Sequence, residues 1–412
     1  MPHISRIRGH FPYIHYYSLV NNQGTVVYIS NSIRTFGLDL VGLFVPIFLF
    51  SLDFPIVISD HKFLNGAFWP VVYFGIRSIT TLAFTVFFAS SVFKKVSAKH
   101  LLVAGNMCTI ITTLTLYLTS QNPFLFFIPA IFSGLVNVLY WVPYKLYFTQ
   151  KDSDKYGNYG KNVGLNEFFQ GLVHAFAPLL GGISIMYLGF GVTFLVSTVI
   201  ILLSLIPIVE NLPDIKFNKI KTDSFYKYFY DKRYTKSGIA FMGIAMDDII
   251  FTIFWSLSLM YFLENVIKVG LLNFVSVFLG SLSLLVAVKY VDSKQKNKLH
   301  TFGVSLTGIY NFLRIFISSS FGAYTLEILD RVNPFFIIPF ETRTYEIAKI
   351  SDSDVNFLLF REMALHLGFL IALFLSLLIM MFLNWKFVFF VAIVGSLLSY
   401  YISVAKERDF KG

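Results

Sequence analysis

The chain has 412 residues, of which 56% are hydrophobic, 18% aromatic and only 14% charged, with a net charge of +10. A soluble domain carries roughly a quarter charged residues, and this many all-round apolar segments cannot share one dry core, so a soluble globular protein is excluded. The positive charge does not point to nucleic acid, because lysine and arginine gather in short loops between apolar runs. The single cysteine, Cys108, leaves no intrachain disulfide and no cysteine-based metal site, and reads as a small apolar packing residue.

In chain order, residues 1–29 form a polar N-terminal segment without a secretory signal, since no apolar core precedes Val26. Apolar runs of about 20 residues, the length that spans a bilayer, then recur. They predict about twelve membrane helices, at 30–52, 68–92, 101–120, 124–148, 164–188, 191–209, 237–263, 271–291, 299–319, 324–347, 355–382 and 386–404. Two six-helix units result, at 30–210 and 237–405, with a tail at 406–412. Lys94, Lys95 and Lys99 lie between helices two and three, Lys145, Lys151, Lys155 and Lys161 at and after the end of helix four, and Lys289, Lys294, Lys296 and Lys298 between helices eight and nine. The alternate loops are nearly free of base, which predicts that both termini are cytoplasmic. Residues 211–236 form the one long hydrophilic stretch, with seven lysines and arginines mixed with tyrosine and phenylalanine. That pattern suits either an amphipathic linker on an anionic inner leaflet or a plain solvated tether. The lysine-, asparagine- and phenylalanine-rich usage fits a low-GC bacterial genome, and hence a plasma (inner) membrane.

The halves repeat weakly. Pro143 aligns with Pro339, Glu167 with Glu362 and Gly105 with Gly303, at offsets of 196, 195 and 198, and Asp39 falls opposite Asp247 at 208. The preserved order argues for a duplicated six-helix unit. An even helix count per half makes the repeat parallel, about an axis along the membrane normal.

At this point the chain resembles the major facilitator superfamily of transporters over essentially its whole length. The sharpest match is in helix five, where Gly164 and Gly171 keep the spacing of that superfamily's antiporter motif and Ala177, Pro178, Gly181 and Gly182 supply its ending. Small residues there let helices approach closely and the proline bends the helix. The cytoplasmic motif between helices two and three departs from the family: Lys94 stands for its aspartate, Lys95 and Lys99 keep its basic character, and Asp292 supplies an aspartate in the second half. Ala130 stands where many proton-coupled members have an arginine, four residues before Gly134. The resemblance implies an all-α protein of two pseudo-symmetric six-helix bundles, acting as a monomeric secondary transporter of a small molecule by alternating access. The helix-five motif tilts it toward export or antiport of an amphipathic or cationic compound, with protons as the coupling ion. The alternative is a non-transporting sensor or scaffold of the same fold.

Ionisable residues inside a membrane are functional candidates by default. Asp39 lies about 14 Å, and Asp247 about 15 Å, along their helices at 1.5 Å per residue, which is mid-bilayer. With Asp248, Arg34 and Arg77 they are the candidates for substrate or ion coupling, or for structural ion pairs. The resemblance puts helices one, four, seven and ten around the central cavity, so Tyr140, Trp141 and Tyr144 are expected to line it. Lys145 and Glu341, 196 residues apart, are expected either to pair as an inner gate or to reach separately toward headgroups. Arg361 and Glu362 are further gate candidates, with His366 one turn on, while Glu167 and His174 share helix five. No enzyme, phosphate-loop or metal motif occurs, so neither catalysis nor a cofactor is expected, and the partners are substrate, lipid and protons.

Overall fold

The structure, a computed structural model, describes residues 23–52, 54, 62–151, 159–214, 226–291, 296–333, 335–351 and 353–404. Asp292 and Lys294 lie outside them, as do Lys216, Lys219 and Lys221 of the linker. Among the described residues nine helices are long and apolar enough to cross a membrane.

The first bundle contains α1 (Val26–Ser51), α2 (Phe63–Lys95), α3 (Ala98–Thr119) and α4 (Pro123–Tyr147). The helix Tyr159–Leu203 then bends at Gly189, whose φ of 80° is left-handed, and divides into α5 (159–188) and α6 (190–211). The second bundle contains α7 (Lys232–Leu263), α8 (Val266–Val291), α9 (Lys296–Ile315), α10, α11 (Asp354–Phe382) and α12 (Trp385–Ser403). Helix α10 comes in two pieces, Ser320–Arg331 and Ile337–Ile350, and the intervening sequence carries Pro334. A proline donates no backbone hydrogen bond and disfavours helix in the residue before it. The apolar runs expected from the sequence fall in helical segments among the described residues, the run at 324–347 being broken into two pieces. The outer faces carry large apolar side chains such as Phe87, Phe374 and Met381, all more than 60% exposed. A belt of this size is far beyond what a water-facing surface carries.

The duplication is visible in backbone contacts. A Cβ on Gly105 of α3 would lie 2.8 Å from the Tyr140 nitrogen, and one on Gly303 of α9 2.5 Å from the Phe336 nitrogen. Tyr140 and Phe336 are themselves 196 residues apart, so the same crossing is built twice with the same kind of residue. Likewise α1 packs on α5 and α6 while α7 packs on α11 and α12.

The bundles meet along two seams, α5 with α8 and α2 with α11. The helix-five motif lies at the first. A Cβ on Gly171 would sit on the Ser281 hydroxyl, one on Gly182 would come within 2.7 Å of the Val266 carbonyl oxygen, and Gly270 meets the Pro178 carbonyl. Gly181 faces α1 instead, 1.9 Å from the Leu40 carbonyl oxygen by the same measure. Ala177 is fully buried. Gly164 lies in the same helix, with nothing described around it. At the opposite end from the lysine-rich loops, Phe63 of α2 stacks on Trp385 of α12 at 4.5 Å.

The described end of the linker packs aromatic residues onto the second bundle. Tyr228 is buried against Tyr234, Phe357 and Phe360, and the Tyr226 hydroxyl donates to the Val86 carbonyl of the first bundle. Asp231 caps α7 through the Arg233 amide at 2.9 Å and accepts from the Arg233 guanidinium at 2.8 Å.

Candidate functional site

A cavity of about 720 Å³ lies between the bundles at mid-helix depth, lined from α1, α5, α7, α8, α9, α10 and α11. Asp39 of α1 and Asp247 and Asp248 of α7 all face it. Two carboxylate positions picked from depth alone therefore share one space, one from each half of the repeat.

Their surroundings differ. Asp39 pairs with the His174 Nδ1 of α5. The bond crosses from α5 to α1; the side chain of Glu167, the carboxylate that shares the histidine's helix, lies outside the described residues. Asp247 accepts from the Asn311 amide of α9 at 2.6 Å. Asn311 in turn accepts from Arg314 at 2.5 Å, and Arg314 donates to Asp330 of α10 at 2.6 Å. The Arg314 guanidinium also lies 4.5 Å from the Trp255 ring centre and 5.0 Å from that of Phe251. Trp255 donates to Glu327, which also accepts from Arg331 at 3.1 Å. These four groups, Arg314, Glu327, Asp330 and Arg331, were not singled out from the sequence. The rule that selected Asp39, an ionisable residue within an apolar run, applies to Arg314 equally.

The aromatic face of α4 does not line the cavity. Tyr140 and Tyr144 are buried inside the first bundle, where Asn31 of α1 accepts from the Tyr140 hydroxyl and donates to that of Tyr144. Arg34 lies 3.8 Å above the Tyr140 ring and 5.5 Å from that of Trp141, and donates to Thr109 at 3.1 Å. The cause is the close α3–α4 crossing at Gly105, which turns this face of α4 toward α1 and α3. Thus α1, α7 and α10 contribute to the cavity wall, and α4 does not. Neither Arg34 nor Arg77 pairs with Asp39. Arg77 donates to Asn137 at 3.1 Å and stands within electrostatic range of Asp248 and Glu362.

Lys145 and Glu341 do not bond to each other. Lys145 of α4 donates to Glu362 of α11 at 3.3 Å, and Arg361 binds Glu362 at 2.9 Å and Glu341 of α10 at 2.8 Å. The headgroup alternative is ruled out for all four, since their side chains are no more than 19% exposed. Of these three bonds, only Lys145–Glu362 crosses between the bundles. Around it, Val355, Leu358, Leu359 and Met363 of α11 share a buried apolar cluster with α2, α3 and α4. His366, one turn further, is buried with its edge toward Phe369. Lys94 and Lys95 are exposed at the end of α2, while Lys99 donates to the Val209 carbonyl at 2.8 Å. Among the described residues no three His, Cys, Asp or Glu side chains gather as a metal site.

No protein-family model and no curated sequence matches the chain. Solved structures do. The human organic anion transporter MFSD10 (TETRAN) superposes with a TM-score of 0.62 at 11% identity, covering 93% of this chain and 99% of that one. The Major Facilitator Superfamily transporter FucP, in the outward conformation, gives 0.63 at 10% identity over 94% and 100%. The POT family transporter PepTSo gives 0.68 at 11% over 95% and 98%. The chain has the major facilitator fold. Within that fold, the cavity between α1 and α7 is the space between the two pseudo-symmetric halves, and the glycine motif is the seam along which they touch.

Proposed function

We propose that this protein is a secondary active transporter that moves a small molecule by rocking its two bundles about the central cavity, in the direction of export by antiport with protons. The observation that carries the reading is the meeting of Asp39 from α1 and Asp247 from α7 in one cavity between the halves of a major facilitator fold. Repeat-built transporters place substrate and coupling ion at that point. The Asp39–His174 pair is the proton site: a carboxylate and an imidazole in contact, both facing the cavity, can pass one proton between cavity and protein. The Lys145–Glu362 bond holds the lysine-rich end closed, and it breaks when that end opens. By the lysine bias that end, with both termini, is cytoplasmic, and the membrane is a bacterial inner membrane.

The test is substrate-dependent pH change in proteoliposomes, screened by compound class. Wild-type protein should move protons with one class, and Asp39→Asn should abolish that flux with expression intact. Coupled flux that survives Asp39→Asn would refute the proton site. Absence of flux with every class, from folded and inserted protein, would refute transport and leave a sensor or scaffold of this fold.

A further inference from the structure

The cavity wall carries one polar strip that the charge networks leave unused. Asp248, Thr252 and Ser256 follow one another at intervals of four on α7, and all three line the cavity. Asn273 of α8 lines it too. Ser256 and Asn273 each stand seven residues from the tight α7–α8 turn, Ser256 before Leu263 and Asn273 after Val266, so the antiparallel pair places them at one depth. Ser256 is 2% exposed and Asn273 4%. Among the described residues none of the four has a hydrogen bond or an ion pair. This is unusual in this chain, where most buried serine and threonine hydroxyls bond to a backbone carbonyl, as Ser258, Ser276 and Ser281 do nearby. Asp248 is exposed and Thr252 half-buried, and the polar atoms of Ser256 and Asn273 are not among the buried ones without a partner, so all four open on the cavity and are free to bind whatever fills it. A π-turn, Phe251–Trp255, interrupts α7 inside this strip, and such insertions concentrate at functional sites.

The sign of the ligand follows from the charges around the cavity. Asp39 is balanced by His174, Asp330 by Arg314, Arg331 by Glu327, and Glu341 by Arg361. Asp247 has a neutral donor, Asn311. Asp248 is exposed to the cavity, with Arg331 and Arg77 in electrostatic range and neither bonded to it. The excess is negative. The shape of the strip excludes a simple metal site: Asp248 and Ser256 are about 12 Å apart along the helix at 1.5 Å per residue, whereas a hard cation draws its oxygens within roughly 2.6 Å of one point. Phe251, Phe336 and Phe369 supply apolar wall, and the volume falls within the roughly 300–1,000 Å³ of drug-sized ligand sites.

We infer that the substrate is a small organic amine whose ammonium group seats on Asp248 and whose hydrogen-bonding groups run along Thr252 toward Ser256 and Asn273. This rests on the transporter reading for the word substrate, but not for the binding itself. The ammonium donates to the Asp248 carboxylate, and the hydroxyls and the Asn273 amide take the polar groups of the ligand body. Asp247, held by Asn311, and Asp39, held by His174, stay with their protein partners.

The experiment is equilibrium binding to purified protein in nanodiscs, followed by the shift in unfolding midpoint. The probes are matched pairs, glucosamine with N-acetylglucosamine and tyramine with N-acetyltyramine, together with sodium chloride alone. We expect at least one amine to bind on the order of 100-fold more tightly than its neutral N-acetyl partner, as expected when a carboxylate loses a charged partner inside a binding cavity. Asp248→Asn should remove that preference, Asp248→Glu should retain most of it, and Ser256→Ala should weaken it several-fold, all with ligand-free midpoints near wild type. Equal binding of the neutral partners, preference that survives Asp248→Asn, no binding of either amine, or sodium alone producing the Asp248-dependent shift would each overturn the inference. Flux in proteoliposomes separates it from the transporter reading. Transport of a neutral or anionic compound without amine binding sinks only the inference, and amine binding without any flux sinks only transport.

Discussion

Replacing Lys145 with glutamine should open the lysine-rich end of the cavity. The Lys145 ammonium stands 3.3 Å from Glu362, with side chains 13% and 6% exposed. At an effective dielectric of about 20 the bare attraction is about 5 kcal/mol. Most of this is offset by desolvation, and Glu362 keeps Arg361 at 2.9 Å after the substitution, so the net loss is that of one charged hydrogen bond, about 2 kcal/mol. The bond exists only when the bundles touch at that end. Its loss therefore shifts the closed-to-open ratio by about 30-fold. The reporter is a cysteine at Val277, which lines the cavity, in a Cys108→Ser background that removes the natural thiol. A membrane-impermeant thiol reagent added from the lysine-rich side should alkylate it about 30-fold faster in Lys145→Gln. Glu362→Gln should act in the same direction, and the double variant should fall short of the summed effects because the two groups share one bond. An unchanged or slower rate in Lys145→Gln, or strict additivity, would refute the gate.

Further outcomes follow from packing and capping. Gly181→Val should lower the unfolding midpoint, because even its first carbon would lie 1.9 Å from the Leu40 carbonyl oxygen; overpacking of this kind costs about 1–3 kcal/mol, and a wild-type midpoint would count against the close α1–α5 contact. Tyr140→Phe should cost about 1 kcal/mol through the lost bond to Asn31, whereas Tyr140→Ala, which also strips the ring from beneath Arg34, should cost about 3–5 kcal/mol; equal midpoints for the two would contradict the ring's role. Asp231→Ala should cost about 1 kcal/mol as a lost helix cap. The Arg233 side chain, with its backbone amide, holds the Asp231 carboxyl below the usual carboxylate range. That increment is therefore present above the unfolded-state value of about 3.9, and it is lost as pH falls through the lower folded value. Wild type and Asp231→Ala should converge in stability only in strong acid, and a gap that stays constant with pH would contradict the ionic cap.

The fold was legible because its dominant force is one-dimensional. Apolar run length depends on residues that are neighbours in the chain, so the runs fall on helical segments, although the helices begin up to two turns earlier, as at Gln23 and Lys62, and the run at 324–347 is broken. Depth is likewise a count along one helix, which is why Asp39 and Asp247 could be expected at the midplane and are found around one cavity. Partners are not legible in that way. His174 pairs with Asp39 of another helix, and Lys145 reaches Glu362 rather than Glu341, because the rotation of each helix about its own axis is decided by contacts between helices distant in sequence. The aromatic face of α4 shows the same limit. Its composition suits a ligand wall, but the α3–α4 crossing at Gly105 aims it into the bundle. The polar strip of α7 was half visible: Asp248 stood out as a charge, whereas Thr252 and Ser256 look like any other hydroxyls until their missing bonds are seen.

The corner at Gly189 leaves no slack between α5 and α6. One residue of non-helical backbone joins them, so neither helix can slide or rotate far without taking the other along. Ser197 of α6 donates to the Gly37 carbonyl of α1 at 2.6 Å, and Gly181 of α5 abuts the Leu40 carbonyl of the same helix. The two helices and the stretch of α1 that carries Asp39 therefore form one lever, stiff enough to transmit a push at the α5–α8 seam to the other side of the bundle. For protein engineering the practical consequence is that this corner is a poor place for an epitope or a fluorescent insertion, since any added length there cuts the lever in two.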